Sequence, residues 1–497
     1  MTQTKEPTLF QAFLPVLFLI GLLALNVYFY RGDSSYGPNQ IAMLLTAGVA
    51  ALVGINLGVS WKTTLDKMVS SISSAMSSII ILLLIGALAG TWLISGIVPA
   101  MITYGLDILS PNIFLFAACI ICALVSLATG SSWSTVATVG VALLGIGQAL
   151  GIGVGWVAGA IISGAYFGDK MSPLSDTTNL APAIAGGELF AHIKHMAWTT
   201  GPSIIIALLV FLIAGFSFSG SSPQQNVEDL QVLIETKFHI TPLLFIVPVI
   251  VIVLIVKKMP AIPALTIASI LGAIAAIVFQ PEIVNEVSGI TDNYLLSSYK
   301  ASVHSMALST TFEAENLRIN EILGISDEEL LSAGGMSGML NTVWLIMCAL
   351  AFGGAMQAAG LLKRMTRAVL SLVNGVGSLI AATAGSCVFF NLTASDQYVA
   401  IVVPGKMFSE AYKDRSLAPE NLSRTLEDSG TVTSVLIPWN TCGATQSTVL
   451  GVDVMTYVPY CVFNYVSPLM TVLFGFMGWK IKPAPVEGLE SADSAES

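Results

Sequence analysis

The chain has 497 residues, of which 55% are hydrophobic and only 10% are charged, whereas an ordinary soluble protein carries about 25% charged residues. This composition excludes a sizeable soluble domain and predicts an all-α polytopic membrane protein. The net charge of −10 comes mainly from predicted loops and the C-terminal tail, and it argues against nucleic acid as a partner.

Apolar runs of about 18–25 residues mark helices that cross the lipid bilayer. The first run is too long for the core of a signal peptide and no small-residue cleavage site follows it, so we expect a retained span. Uninterrupted spans are predicted at 10–30, 39–60, 73–98, 196–218, 239–257, 260–280, 339–360 and 451–479. Polar residues interrupt four further runs, at 111–150, 152–187, 375–412 and 416–446.

The basic residues of the short loops predict the orientation of these spans. Nearly all of them fall on one side if the N-terminus is cytoplasmic. The acidic connections 219–238 and 281–336 then lie outside, and the acidic tail 480–497 lies in the cytoplasm. We therefore expect a multi-pass protein of the cytoplasmic (inner) membrane with both termini inside the cell.

The predicted elements recur in the same order in two halves of the chain, 1–218 and 239–479. Each half has three spans, a short stretch, a re-entrant hairpin (111–150 or 375–412), a broken helix (152–187 or 416–446) and a closing span. The first half starts in the cytoplasm and the second starts outside. This pattern predicts two inverted-topology repeats whose broken elements meet near the middle of the membrane.

The first broken helix contains the polar stretch 168–179, GDKMSPLSDTTN. Pro173 cannot donate a backbone hydrogen bond and disfavours helical geometry at Ser172, so it predicts a break inside the membrane. Ionisable residues at such depth indicate a functional site, and Asp169 and Asp176 are the first candidates for binding a cation or carrying a proton. Supporting oxygen ligands are predicted at Ser172, Ser175, Thr177, Thr178 and Asn179.

Each carboxylate of this stretch also has a structural interpretation. Asp169 could form an ion pair with the adjacent Lys170 or cap the break. Asp176 could cap the second half-helix, which does not exclude binding a cation.

Two hairpin tips carry similar clusters of small hydroxyl side chains, in 128–135 (ATGSSWST) and 391–398 (NLTASDQY). Asp396 stands in the second tip without an adjacent basic residue, and we interpret it as a third ion-binding carboxylate. The hydroxyl candidates in the tips are Thr129, Ser131, Ser132, Thr393 and Ser395. Their alternative role is to hydrogen-bond neighbouring helices or their own backbone.

The second interrupted helix contains EDSGTVTS at 427–434 and IPWNTCGA at 437–444. Glu427 and Asp428 are adjacent carboxylates that could share a proton, or Arg424 could neutralise one of them. Asn440 and Thr441 are predicted as supporting cation ligands. Lys170 and Lys406 are interpreted as counter-ions or as ligands for an anion.

Other residue types give no sign of an enzyme. The six cysteines lie in or beside apolar segments, so we interpret them as membrane-buried thiols. His192 and His195 are interpreted as interfacial histidines. The metalloprotease and nucleophile-elbow motifs are absent from the sequence. We expect no enzymatic activity and no cofactor, with Na+ and H+ as transported ions.

The block GAYFGDKMSPLSDTTNLA at 164–181 resembles the signature of the NhaC-type Na+/H+ antiporters, a family that includes the malate/lactate antiporter branch. The blocks 128–135, 395–408 and 437–444 resemble that family as well. The resemblance implies the ion-transporter superfamily fold and a homodimer. It also implies that Na+ binds near the elements Thr129–Ser132 and Asp169–Asn179, with the second tip and the 437–444 block completing the site.

We therefore expect a secondary transporter that exchanges Na+ for H+, with both ions competing for Asp169, Asp176 and Asp396. The alternative is an exchanger of small carboxylates coupled to Na+ and H+, such as a malate/lactate antiporter, in which Lys170, Lys406 and helix N-termini hold the anion. A channel is disfavoured because no continuous polar helix lines a predicted pore.

Overall fold

The computed structural model describes residues 5–30, 36–108, 110–218, 231–232, 234–257, 259–312, 331–371 and 373–484. This part of the chain is almost entirely α-helical, and its only sheet is a pair of two-residue strands. Eight of its helices are long and apolar enough to cross a membrane, and a bent pair near the C-terminus would make a ninth. The prediction of an all-α polytopic membrane protein is confirmed.

The described residues of the N-terminal half form eleven α-helices. In chain order they are α1 (Leu9–Tyr30), α2 (Pro38–Asn56), α3 (Trp61–Ser74), α4 (Met76–Ile94), α5 (Ile97–Ile108), α6 (Pro111–Thr129), α7 (Ser132–Thr135), α8 (Val141–Ala149), α9 (Val154–Met171), α10 (Asp176–Ala185) and α11 (Leu189–Ser217). A single π-helical segment, Val136–Gly140, joins α7 to α8. The predicted hairpin is thus α6 to α8, and the predicted broken helix is α9 followed by α10.

The connection predicted as an acidic outer loop, 281–336, contains two helices in its described part. A 3₁₀ turn (Pro242–Phe245), α12 (Ile246–Val256) and α13 (Ala261–Phe279) precede it. It then forms α14 (Pro281–Ser288), α15 (Tyr294–Ala307) and an antiparallel pair of strands, β1 (Thr310–Thr311) and β2 (Ser332–Ala333). Residues 313–330, and most of the predicted loop 219–238, lie outside the described residues.

The C-terminal half has its own hairpin and interrupted helix. Its helices are α16 (Gly335–Gly338), α17 (Leu340–Ala358), α18 (Leu361–Leu370), α19 (Val376–Thr393), α20 (Gln397–Lys413), α21 (Pro419–Leu426), α22 (Thr441–Leu450), α23 (Val454–Tyr457) and α24 (Val462–Met477). A π-helical segment (Glu427–Thr431) and a 3₁₀ turn (Ser434–Leu436) lie between α21 and α22. The hairpin α19–α20 covers 376–413, where 375–412 was predicted, and α21 to α22 cover 419–450, where 416–446 was predicted.

Two of the predicted plain spans differ from what the structure shows. The span predicted at 239–257 is only a short apolar helix preceded by a 3₁₀ turn, because Pro242 and Pro248 lie in its first part. The last predicted span, 451–479, is bent by 55° between Tyr460 and Val462. Of the predicted cytoplasmic tail, only residues 480–484 are described. The backbone N–H of Ala418, just before α21, donates a hydrogen bond to the carbonyl oxygen of Lys482 at 2.9 Å.

Helices α6 and α9 approach each other through glycines. A Cβ atom added at Gly164 would lie 2.1 Å from the carbonyl oxygen of Cys119, and one added at Gly168 would lie 2.3 Å from that of Ala123. Small residues allow such close backbone contact between membrane helices. The contact fixes the end of α9, which carries Asp169, against the hairpin.

We expect Gly164→Ala to destabilise the protein by about 1–3 kcal/mol, because the added methyl group forces α6 and α9 apart. The measurement is the midpoint of heat-induced unfolding in detergent. Gly201→Ala is the matched control, since it is also a helical glycine and nothing lies within 4 Å of its added Cβ. Equal midpoints for the two variants would contradict the close packing of α6 on α9.

Candidate cation site at four helix interruptions

The break between α9 and α10 forms where the sequence predicts it. Helix α9 ends at Met171, and Ser172 is extended with φ −83° and ψ 129°. Ser175 is the N-cap residue of α10, with extended backbone and no capping hydrogen bond from its side chain. The Thr178 hydroxyl donates to the carbonyl of Lys170 at 2.9 Å, so it satisfies an acceptor at the end of α9. The Asn179 side chain, which is exposed, donates to the carbonyls of Pro173 and Ser175.

Asp169 links the first break to the first hairpin tip. Its side chain is buried, and its Oδ2 accepts two hydrogen bonds from Ser132, one from the backbone N–H at 3.1 Å and one from the hydroxyl at 2.7 Å. Ser132 is the first residue of α7, whose N-terminus favours a negative charge. These contacts favour the ionised carboxylate without placing a basic side chain against it.

The first hairpin tip packs directly on the break. Gly130 adopts a left-handed conformation with φ 69°, and a Cβ there would lie 2.7 Å from the backbone carbon of Leu174. Beside it, the Ser131 hydroxyl caps α7 by accepting from Ser134 N at 3.2 Å. Thr129 is buried, and its hydroxyl lies 3.4 Å from that of Thr135.

The second hairpin tip contacts the second interrupted helix in a similar way. Ser395 has a left-handed backbone (φ 59°), and its carbonyl accepts from Thr441 N at 3.0 Å. Asn391 donates to the carbonyl of Gly430, inside the π-helical segment, at 2.7 Å. Asn440 caps α22 through Cys442 N and donates to the carbonyl of Asn391. Each tip therefore holds the break of its own half.

An ion pair joins the two broken helices. Lys170 at the end of α9 contacts the Oδ1 of Asp428 in the π-helical segment, and both side chains are fully buried. Ser467 lies 2.8 Å from the Lys170 ammonium, and Thr199 donates to the second oxygen of Asp428 at 2.8 Å. Lys170 thus pairs with Asp428, not with the adjacent Asp169, and Arg424 forms no ion pair with Glu427 or Asp428 in the described structure.

Glu427 also spans the two halves. Its Oε1 accepts a hydrogen bond from the Thr177 hydroxyl at 2.9 Å, whereas its buried Oε2 has no partner. Its neighbour Asp428 has partners on both oxygens. The structure therefore gives the two adjacent carboxylates different surroundings.

A cavity of about 650 Å³ opens beside these contacts. Asp169 and Asp176 both line it, and none of its described lining residues is basic. The lining is Ile81, Thr129, Gly130, Ser131, Trp133, Asp169, Leu174, Ser175, Asp176, Thr177, Met259, Pro260, Ala261, Ile262, Pro263, Gln397, Tyr398 and Thr441. Both hairpin tips, the first break and the start of α22 thus contribute to one cavity.

The cavity brings together some of the predicted site residues and not others. Asp396 is buried but serves as the N-cap of α20, accepting from Val399 N at 2.9 Å. Lys406 is exposed on α20 and makes no ion pair in the described part of the chain. The predicted residues that do not line the cavity are Ser132, Lys170, Ser172, Thr178, Asn179, Thr393, Ser395, Asp396, Lys406, Glu427, Asp428 and Asn440.

Several residues of the site were missed from the sequence. Gln397 and Tyr398 line the cavity, and the Tyr398 hydroxyl lies 3.5 Å from Asp176. Thr199 and Ser467 complete the partners of the ion pair. The position of Gln397 and Tyr398 within the second hairpin tip was an available signal, whereas nothing in the sequence marks Thr199 or Ser467.

A grouping of hard oxygen atoms suits a monovalent cation here. Residues with carboxylate and hydroxyl side chains line the cavity at the first break, and broken helices supply oxygen ligands in secondary transporters. Within the described residues, no group of three or more His, Cys, Asp or Glu side chains could hold a metal ion.

Residues 164–479 match the model of the Na+/H+ antiporter family. The chain is 37% identical over 439 residues to the Na+/H+ antiporter NhaC of Alkalihalophilus pseudofirmus, covering 88% of this chain and 90% of that protein. It is 36% identical to the NhaC of Bacillus subtilis, covering 88% and 92%. It is 34% identical to the malate-2H+/Na+-lactate antiporter of Bacillus subtilis, covering 96% of both chains.

Proposed function

Because this chain belongs to the Na+/H+ antiporter family, we propose that it is a secondary active transporter that exchanges Na+ for H+ across the cytoplasmic membrane. The observation that carries the proposal is the cavity at the first break, which is lined by Asp169 and Asp176 and by no basic residue of the described chain. Such a cavity attracts a cation and gives no counter-charge to an anion.

Na+ and protons compete for the two carboxylates of the cavity in this proposal. Asp169 supplies the negative charge, Ser132 orients it, and the hydroxyls of Thr129, Ser131 and Ser175 supply neutral oxygens. Protonation removes the charge that Na+ requires. Asp176, at the edge of the cavity, is the second carboxylate available to either ion.

The cavity also indicates which side the site faces. The end of the connection between α12 and α13 and the first turn of α13 line its wall through residues 259–263, and Lys257 stands just before this stretch. Basic connections lie on the cytoplasmic side of a membrane. We propose that the structure is open to the cytoplasm, with both termini on that side, and that two inverted repeats provide the alternative outward-facing state. The assembly that we propose is a homodimer.

Exchange of small carboxylates is the second candidate, because one relative is named a malate-2H+/Na+-lactate antiporter. A dicarboxylate would need positive charges in the cavity. Lys170, which is the nearest candidate, is already paired with Asp428 and fully buried, and Lys406 is exposed elsewhere. The electrostatics of the described cavity therefore favour a cation as substrate.

The test uses purified protein in sealed liposomes with an internal pH dye and an imposed pH gradient. We expect added NaCl alone to dissipate the gradient, because Na+ exchanges for protons. Malate and lactate placed on opposite sides, with Na+ present, should not change the rate of this response. A response that requires both organic anions would contradict cation exchange and identify a carboxylate exchanger.

A further inference from the structure

We propose that the cavity at the first break also binds an organic ammonium ion with a short apolar chain, in competition with Na+. This inference rests on the proposed function, because it assigns a second class of ligand to the same cation site. The apolar chain of this ligand would occupy the part of the cavity that a bound Na+ does not fill.

The size of the cavity exceeds what a metal ion needs. Its volume of about 650 Å³ lies within the range of about 300–1,000 Å³ that is typical of sites for small organic molecules. A single Na+ bound at Asp169 would leave most of this space to water. An organic cation could fill it while keeping its charge at the carboxylate.

The charged end of the cavity suits an ammonium group. Ser132 donates both of its hydrogen bonds to Oδ2 of Asp169, and the Ser175 hydroxyl is a further donor to this carboxylate. Asp169 is 8% exposed, and it lines the cavity together with the hydroxyl-bearing Thr129 and Ser131. A primary ammonium carries three N–H donors, which match these acceptors, and no described lining residue repels its charge.

The remaining wall is apolar and aromatic. Trp133 and Tyr398 contribute rings, and Ile81, Leu174 and Ile262 contribute aliphatic side chains. Aromatic faces attract ammonium ions, and aliphatic walls favour the burial of methylene groups. Na+ gains nothing from the aliphatic side chains, whereas an alkylammonium ion uses both ends of the cavity.

The experiment measures exchange of radioactive sodium tracer for unlabelled Na+ in proteoliposomes with equal pH on both sides. Ethyl-, propyl-, butyl- and pentylammonium are added on both sides, so that no pH gradient is created or lost. We expect competitive inhibition that strengthens about threefold to fourfold per methylene group until the cavity is filled. The neutral alcohols of the same length control for effects on the bilayer.

The variant Trp133→Leu tests whether the alkylammonium ion binds in this cavity, because Trp133 lines it. For each protein we divide the inhibition constant of butylammonium by the Na+ concentration that gives half-maximal exchange. We expect this ratio to be roughly fivefold higher in Trp133→Leu than in the unmodified protein, because the variant lacks the aromatic face. Inhibition that does not depend on chain length, or that the alcohols reproduce, would overturn the inference. Absence of Na+ exchange in the unmodified protein without any amine would instead overturn the proposed function.

Discussion

Asp169→Asn should reduce Na+-driven proton exchange by roughly 100-fold or more. Asn keeps the size of the side chain and can still accept from Ser132, which donates to Asp169 at 2.7 Å, but it carries no negative charge and binds no transported proton. Removing one partner of a buried charge pair costs about 2–5 kcal/mol, and about 3 kcal/mol corresponds to two powers of ten in affinity.

The measurement is the initial rate of dye response to Na+ in liposomes containing equal amounts of each variant. Asp414→Asn is the matched control, because it makes the same chemical change at an exposed residue just after α20. Exchange by Asp169→Asn within a few-fold of the control would exclude this carboxylate as the shared site of Na+ and H+.

Lys170→Met alone is expected to destabilise the protein by about 3–5 kcal/mol, because Asp428 would be left as an unpaired charge in the interior. Both side chains are fully buried. The double variant Lys170→Met/Asp428→Leu removes both charges and should recover most of the lost stability, since well-packed apolar residues commonly replace a buried ion pair without loss.

Thermal unfolding in detergent distinguishes the two variants. The measured quantity is the amount of protein that remains monodisperse after heating. Recovery in the double variant shows that the two residues act on stability through each other. The single variant Asp428→Leu completes the comparison. A double variant whose loss of stability equals the summed losses of Lys170→Met and Asp428→Leu would mean that Lys170 and Asp428 do not depend on each other.

The sequence predicted the elements of the fold because their signals are local. Pro173 within an apolar run marked the first break, and clusters of hydroxyl residues marked both hairpin tips. The π-helical segment at Glu427–Thr431 falls within the polar interruption predicted for the second broken helix. Such patterns depend only on residues that are neighbours in the sequence, so they can be recognised without knowledge of the tertiary contacts.

The partners of the charged residues were not predictable from local pattern. Lys170 could be assigned to Asp169 beside it, but the fold brings it to Asp428, 258 positions along the chain. Asp396 resembled a free ligand, yet it caps α20. Both outcomes depend on how the two halves pack, and this packing is set by long-range contacts that one sequence does not show.

The most direct test of the account follows the uptake of radioactive sodium tracer into proteoliposomes that are acidic inside. The membrane voltage is held constant with K+ and valinomycin, so that only the proton gradient can drive uptake. We predict accumulation of Na+ above its external concentration, its collapse when a protonophore is added, and its loss in Asp169→Asn. Uptake that merely equilibrates Na+, whatever the pH gradient, would contradict exchange of Na+ for H+.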